Sequence, residues 1–375
     1  MKTNATSQLE EIISKHYEIG ELVNYEQLHS GYVNISYIIE TGINGKKNKY
    51  FLRRYKKGIR EEEVEFEHSV IKHLVKKEFN LVARVINTRD GKTFVKQFED
   101  GNDEDKEKDV FYAVFDFLPG EDKYAWFNPA CSDEELQNAA AVLAQFHDAV
   151  SDLSPEGKRY EPKIIDLLPR IAENVEKHAK RAGKTKFDAY FLENLDPILR
   201  TINRTLRAID EREYKQLVHQ VIHCDYHPGN LKFQNGQITG LFDFDWSKVD
   251  ARCFDVALAI TYFCVTWKGQ KDGDLQLYKV AAFLDAYQNT LRGTDSHSHS
   301  RGVGPLSDTE LKYLPHLISA SNIYVLNWAI VDFYGNEVDP HKYLVYLQHS
   351  VHIMRRLENE DNWANLEVIT QVLRV

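Results

Sequence analysis

The 375-residue chain is poor in cysteine: Cys131, Cys224, Cys253 and Cys264 are the whole complement, none in a C-x-x-C pair. That usage reads as reduced thiols in a cytoplasmic protein. A basic surplus is missing as well. Lys and Arg number 47 against 57 Asp and Glu, a net charge of −10, and covering nucleic-acid phosphates takes an excess of the opposite sign. No nucleic-acid partner is expected. Long apolar runs are absent: the longest, Val256 to Trp267, is 12 residues and broken by Thr261, short of the ~20 that cross a bilayer. Met1 to Gly20 alternates polar and apolar residues like an amphipathic helix, not a secretion signal. No membrane partner is expected, and no internal repeat is visible.

What the chain has is aromatic bulk. Its 20 Tyr, 19 Phe and 5 Trp supply enough burial to exclude global disorder. At roughly 150 residues per domain the length allows two to three domains, or two large lobes. The first part reads as strands with one strong helix. Gln27-Leu28 and Val33 to Glu40 form a hairpin around Gly31, and Tyr50 to Tyr55 is a third strand after the polar turn Asn44 to Asn48. Ile59 to Phe79 has near-helical apolar spacing, and Ala83 to Gln97 reads as a hairpin turning at Asp90-Gly91. Asp100 to Asp109 is a charged, solvated loop. Phe111 to Leu118 is an apolar strand stopped by Pro119-Gly120.

Beyond that Pro-Gly the pattern turns helical. Ser132 with Glu135 is a capping box opening a helix to Val150. Further helices are expected over 163–181, 188–209, 256–266, 275–291, 308–333 and 341–357. One β island, Gln220 to Trp246, carries an Asn235-Gly236 turn, and Gly293 to Pro305 reads as a mobile loop. The division expected is a β-rich N-terminal lobe, 1–118, and a helical C-terminal lobe, 119–375, with a cleft between them.

The densest polar cluster in an apolar setting is Val221-Ile222-His223-Cys224-Asp225-Tyr226-His227-Pro228-Gly229-Asn230-Leu231. Asp243, thirteen residues after Asn230, lies in Leu241-Phe242-Asp243-Phe244-Asp245-Trp246, where strand geometry places Asp243 and Asp245 on one face. An Asp-x4-Asn loop followed by an Asp on an apolar strand suits phosphoryl transfer from Mg-ATP. One carboxylate accepts the proton of an attacking hydroxyl, while an Asn and a second Asp hold Mg²⁺ against the phosphates. Other readings stay open. His223, Asp225 and His227 offer zinc or iron ligands; Cys224 beside His223 resembles a nucleophile pair; Asp243 and Asp245 are also turn acids; and Trp246, Tyr262, Trp267 and Trp328 read as core.

On these residues the chain resembles the aminoglycoside phosphotransferase / choline kinase family of small-molecule kinases, most strongly over His223 to Ala259 and more weakly over 25–335. The resemblance implies an α+β, protein-kinase-like two-lobe fold, with a small antiparallel β-rich N-lobe and a larger helical C-lobe. It implies ATP and Mg²⁺ as cofactors, a small-molecule hydroxyl substrate, and a monomer or homodimer. Carried over, Asp225 is the catalytic base, Asn230 and Asp243 are Mg²⁺ ligands, and His223 braces the loop. Asp245 makes a second metal or substrate contact. Asp255, in Phe254-Asp255-Val256-Ala257, caps the next helix and ties down the catalytic loop. Val114 to Gly120 resembles the hinge that meets adenine, through Asp116 and Leu118. Arg53, with Arg54 as the alternative, takes the phosphate-binding Lys position, and Glu67 is its partner. The phosphate-covering turn is His29 to Asn34, with Ser30 and Gly31; it has one Gly where G-x-G-x-x-G has three.

Within the family, Pro305 to Trp328 and Phe254 to Trp267 resemble the homoserine kinase type II branch. A helical segment at 155–211 does not match that branch, so sugar, amino-alcohol and aminoglycoside acceptors stay open, as does a catalytically silent binding protein.

Overall fold

The structure is a computed structural model that describes residues 4–28, 34–99, 108–127, 129–294, 302–336 and 338–373. The chain forms two compact units: residues 1–120 with 154–159 and 239–245, and residues 121–153 with 160–238 and 246–375.

The first unit opens with helix α1 (Asn4–His16) and strands β1 (Glu21–Leu28), β2 (Ile35–Ile43) and β3 (Lys46–Arg54). Helix α2 (Glu61–Lys76), β4 (Val95–Glu99) and β5 (Lys108–Asp116) follow. The five strands form one antiparallel sheet in the order β1-β2-β3-β5-β4. Asn44 and Gly45 turn β2 into β3 with φ of 50° and 77°, the left-handed pair that matches strand twist in a two-residue hairpin. One face of the sheet packs Ile39, Leu52, Tyr112 and Val114 against Leu9, Ile12, Ile13 and Tyr17 of α1 and its end. β1 begins six residues earlier than its sequence suggests, because its side chains are mostly exposed and carry no apolar alternation.

The expected 83–97 hairpin is not there. Asp116 N–H donates to the Arg84 carbonyl (2.9 Å), Ile86 N–H donates to the Val114 carbonyl (2.8 Å), and Val85 faces Phe115 antiparallel. β4 is also antiparallel to β5. Both flanks of the Asp90-Gly91 turn therefore run the same way along one edge, where a hairpin would oppose them. Segment 154–159 seats on α2, with Lys158 N–H on the Glu62 carbonyl (2.8 Å). Gly157, at φ +69°, is required there: a Cβ would lie 2.2 Å from that same carbonyl oxygen.

The second unit is mainly helical: α3 (Asp133–Ala149), α4 (Ile164–Ala179), α5 (Lys186–Glu193), α6 (Leu195–Ala208) and α7 (Glu211–Tyr214) precede a β region. That region comprises β6 (His219–Ile222), β7 (Leu231–Gln234), β8 (Gln237–Leu241, whose last three residues belong to the first unit) and β9 (Lys248–Ala251), with β6 paired to β9 and β7 to β8. Then come α8 (Arg252–Phe263), α9 (Leu277–Thr294), α10 (Asp308–Gly335), α11 (Pro340–Leu357) and α12 (Glu360–Val372). The Ser132/Glu135 capping box opens α3, and a second, Ser307/Glu310, opens α10. The single helix expected over 188–209 is two, α5 and α6, broken at the buried Asn194, which ends the first and begins the second. The short α7 and the last helix, α12, carry no strong sequence signal. The element order and sheet are those of an α+β, protein-kinase-like fold. No described helix is long and apolar enough to cross a membrane.

Candidate active site

Two groups of chemically active side chains stand out, one in each unit. In the first, Arg53 on β3 is 5% exposed. Its guanidinium donates to Glu67 Oε1 on α2 (3.1 Å) and to Asp243 Oδ1 (2.9 Å). The rings of Phe51 and Tyr55 lie 5.7 and 5.8 Å away, and its Nε has no partner among the described residues. Burial opposes the charge, yet Asp243, Glu67 and Asp245 hold Arg53 above its ordinary range. Burial pushes the Glu67 carboxyl up, to about 7, against the pull of Arg53. The Tyr55 hydroxyl donates to its second oxygen (2.8 Å). Arg54 points away, its Nε donating to the Tyr112 hydroxyl (3.0 Å); strand alternation sends neighbours to opposite faces.

Asp243 and Asp245 do not share a strand face. β8 stops at Leu241, Asp243 has φ +69°, and Phe244–Trp246 is a 3₁₀ turn. The left-handed residue breaks the strand period, so Asp243 meets Arg53 while Asp245 accepts from Asn34 Nδ2 (2.7 Å). Asn34 ends the expected phosphate-covering turn, but its bond to Asp245 was not foreseen, since nothing local marks a contact 211 residues away. In the segment expected to be the hinge, Asp116 accepts from Arg84 Nε (2.5 Å) and Leu118 is half-buried. Ser30 and Gly31 lie outside the described residues.

In the second unit the loop after β6 presents Asp225. Cys224 sits at φ +62°, a left-handed conformation that costs a residue with a Cβ about 1–2 kcal/mol. Asp255 holds it there. Its carboxylate accepts from the backbone N–H of His223 (2.8 Å) and of Cys224 (2.8 Å), and from His147 Nε2 (3.0 Å). Asp255 stands fourth in α8, whose N-cap is Ala251, so the expected helix cap is corrected: its carboxylate serves the loop and His147, not the helix end. Burial keeps His147 below its ordinary range and neutral near pH 7. Its Nδ1 lies 2.7 Å from the Tyr287 hydroxyl, so the network assigns the proton to Nε2. Burial works against the Asp255 charge, and the bond from His147 outweighs it, leaving the group below the usual carboxylate range.

Asn230 Nδ2 donates to the Asp225 carbonyl (2.9 Å) and to Asp225 Oδ2 (3.0 Å). His227 Nε2 lies 3.4 Å from the same oxygen, and the His227 ring packs on Tyr262 with centroids 5.2 Å apart. His223 is fully buried against Tyr226 and Phe146, ring centroids 5.9 and 6.2 Å apart. The alternative metal site finds no support: no cluster of three or more His, Cys, Asp or Glu able to hold a metal occurs among the described residues. Cys224 is buried and pushed well above its ordinary range, the reverse of an activated thiolate. Sequence reasoning missed His147 and Tyr287, which lie on distant helices; no local pattern could mark them.

A phosphotransferase enzyme family model matches residues 24–295. The chain belongs to that family. Among relatives, the homoserine kinase of Parvibaculum lavamentivorans is 25% identical over 341 residues, covering 88% of this chain and 90% of its own. An aminoglycoside phosphotransferase structure from Alicyclobacillus acidocaldarius superposes with a TM-score of 0.59 at 16% identity, covering 96% of this chain and 94% of its own. An amicoumacin kinase bound to AMP-PNP and Ca²⁺ gives 0.62 at 12% identity, with 95% and 94% covered. The protein is a small-molecule kinase of this phosphotransferase family.

Proposed function

We propose that the protein transfers the γ-phosphoryl group of ATP, with Mg²⁺, to the hydroxyl of homoserine, in the cytoplasm. The observation that carries the reading is the strained Cys224-Asp225 step, pinned by Asp255 so that one carboxylate stands out beside Asn230. Homoserine as acceptor rests on the homoserine kinases related along nine-tenths of their length.

Asp225 orients the acceptor hydroxyl and takes its proton as the oxygen attacks phosphorus. Asp243 and Asn230 each offer a hard oxygen donor of the kind Mg²⁺ prefers. Mg²⁺ bound by them would offset charge on the phosphate oxygens. Arg53 answers the phosphates, and Glu67 with Tyr55 fixes where its guanidinium stands. Residues 1–118, including Ser30, Gly31, Asp116 and Leu118, hold the nucleotide; residues 119–375 hold the acceptor. The test is ADP release with Mg-ATP against homoserine, choline, ethanolamine, N-acetylhexosamines, methylthioribose and aminoglycosides, with Asp225→Ala as the blank. Release with homoserine alone, absent in the blank, is expected. Release with another acceptor, or none, overturns the assignment.

A further inference from the structure

Helix α2 carries Glu67, and Glu67 fixes the guanidinium of Arg53. At that turn α2 is itself gripped by residues 154–159, a stretch outside every nucleotide-site motif. It belongs to the first unit, although the chain on either side of it, 121–153 and 160–238, belongs to the second. The stretch meets α2 before and after Glu67. Lys158 N–H donates to the Glu62 carbonyl (2.8 Å), Arg159 Nη1 lies 3.6 Å from Glu63 Oε1, and Ser69 Oγ reaches the Glu156 carbonyl (3.5 Å). Between these contacts Gly157 lies backbone against backbone. A Cβ there would stand 2.2 Å from the Glu62 carbonyl oxygen and 2.7 Å from Phe66 N. Both are main-chain atoms of a helix and have no side-chain freedom with which to give way.

The charges tie this grip to the phosphate site. Glu63 and Glu67 are four residues apart, one turn along the same stripe of α2. Arg159 answers the first and Arg53 the second. Both arginines are nearly buried, with 8% and 6% of the side chain exposed, a state that charged residues adopt only when paired. Burial raises the Glu67 carboxyl, and Arg53 and Arg159 are among the charges that draw it back. Glu67 is thus held from two directions, by Arg53 and Tyr55 directly and by residues 154–159 through α2.

We propose that residues 154–159 are a clasp that sets the position of α2, and that Gly157 and Arg159 are positioning residues for the nucleotide phosphates, acting through Glu67 and Arg53. This rests on the reading of Arg53 as the phosphate-binding residue. Lifting the clasp shifts the turn that carries Glu67 and stretches its 3.1 Å bond to Arg53. The guanidinium is then held by Asp243 alone and no longer stands where the phosphates need it.

The test is a mutant cycle read by calorimetric titration with Mg-ATP, which needs no acceptor. Gly157→Ala and Arg159→Met should each weaken ATP binding about 3- to 10-fold, the worth of one hydrogen bond. Arg159→Lys keeps a charge facing Glu63, a single contact that needs no fork, and should stay within about two-fold of wild type. In a Glu67→Ala background Gly157→Ala and Arg159→Met should weaken binding no further, because the group they act through is gone. If Gly157→Ala does not fold, the Arg159 variants decide. Clasp variants that bind ATP like wild type, that weaken it equally in the Glu67→Ala background, or an Arg159→Lys as weak as Arg159→Met, overturn the inference while the phosphate-site reading stands. An Arg53→Ala protein that binds ATP like wild type overturns that reading, and the inference with it.

Discussion

Replacing Asp255 by Asn probes the anchor of the catalytic loop with almost no change in volume. The carboxylate accepts three N–H groups, from His223, Cys224 and His147 at 2.8, 2.8 and 3.0 Å. An amide keeps one oxygen and puts an NH₂ where the other stood. If the oxygen stays with His223 and His147, the Cys224 N–H faces a donor. An orphaned buried N–H costs about 1–3 kcal/mol, and losing the charge roughly halves the surviving bonds. Together these give about 2–4 kcal/mol, read as a lower urea midpoint with an unchanged m-value. Cys224 then lacks what holds it at φ +62° and relaxes by rotation about the bond that aims Asp225. A displacement of about 1 Å lowers turnover on the order of 100-fold. The Tyr287→Phe control removes only the hydroxyl facing His147 Nδ1, and its cost should stay near 1 kcal/mol. An Asp255→Asn protein within about 0.5 kcal/mol of wild type, turning over at the wild-type rate, would refute the anchoring argument.

Arg53→Ala should raise the KM for ATP roughly 10- to 100-fold, the worth of one charge-assisted bond. Arg54→Ala should change it little, because Arg54 faces Tyr112; initial-rate kinetics at varied ATP decide, and the reverse ranking moves the site by one residue. Buried Arg252 forms a bidentate pair with Glu310, 2.8 Å each. Arg252→Met should cost about 3–5 kcal/mol in urea unfolding, and adding Glu310→Leu should recover part of it. Burial raises Glu135, but Lys123, Tyr124 and the Ser132 N–H outweigh it and bring the group down to about 2. Its folded value lies below its unfolded one, so its stabilisation is full above the ordinary carboxylate range and fades as pH falls toward 2. Glu135→Gln should flatten that acid limb, followed by unfolding at pH 2–5; an unchanged limb would show the pairing contributes nothing.

What the sequence made legible was whatever depends on local chemistry. The Ser132/Glu135 capping box, the Asn235-Gly236 turn and the Asp225-x4-Asn230 spacing are read within a few residues, and each has its structural counterpart. What failed depended on backbone states that no side-chain pattern reports. Alternating acids and aromatics after Leu241 look like a strand, yet Asp243 enters the left-handed region and the two acids part. Asp90-Gly91 looks like a hairpin turn, and it is a turn, but both flanks pair with β5 instead of each other. Long-range partners were invisible: His147 reaches Asp255 across 108 residues.

The most direct test of the central claim is phosphorus NMR of the products formed from Mg-ATP and homoserine, by wild type and Asp225→Asn side by side, with ATP binding measured on both. The account predicts a phosphate monoester on the homoserine hydroxyl from wild type. The variant should form it at least ~100-fold more slowly, as loss of a general base dictates, while binding ATP within a few-fold of wild type. Equal rates from the two proteins, or loss of nucleotide binding together with activity, would contradict it.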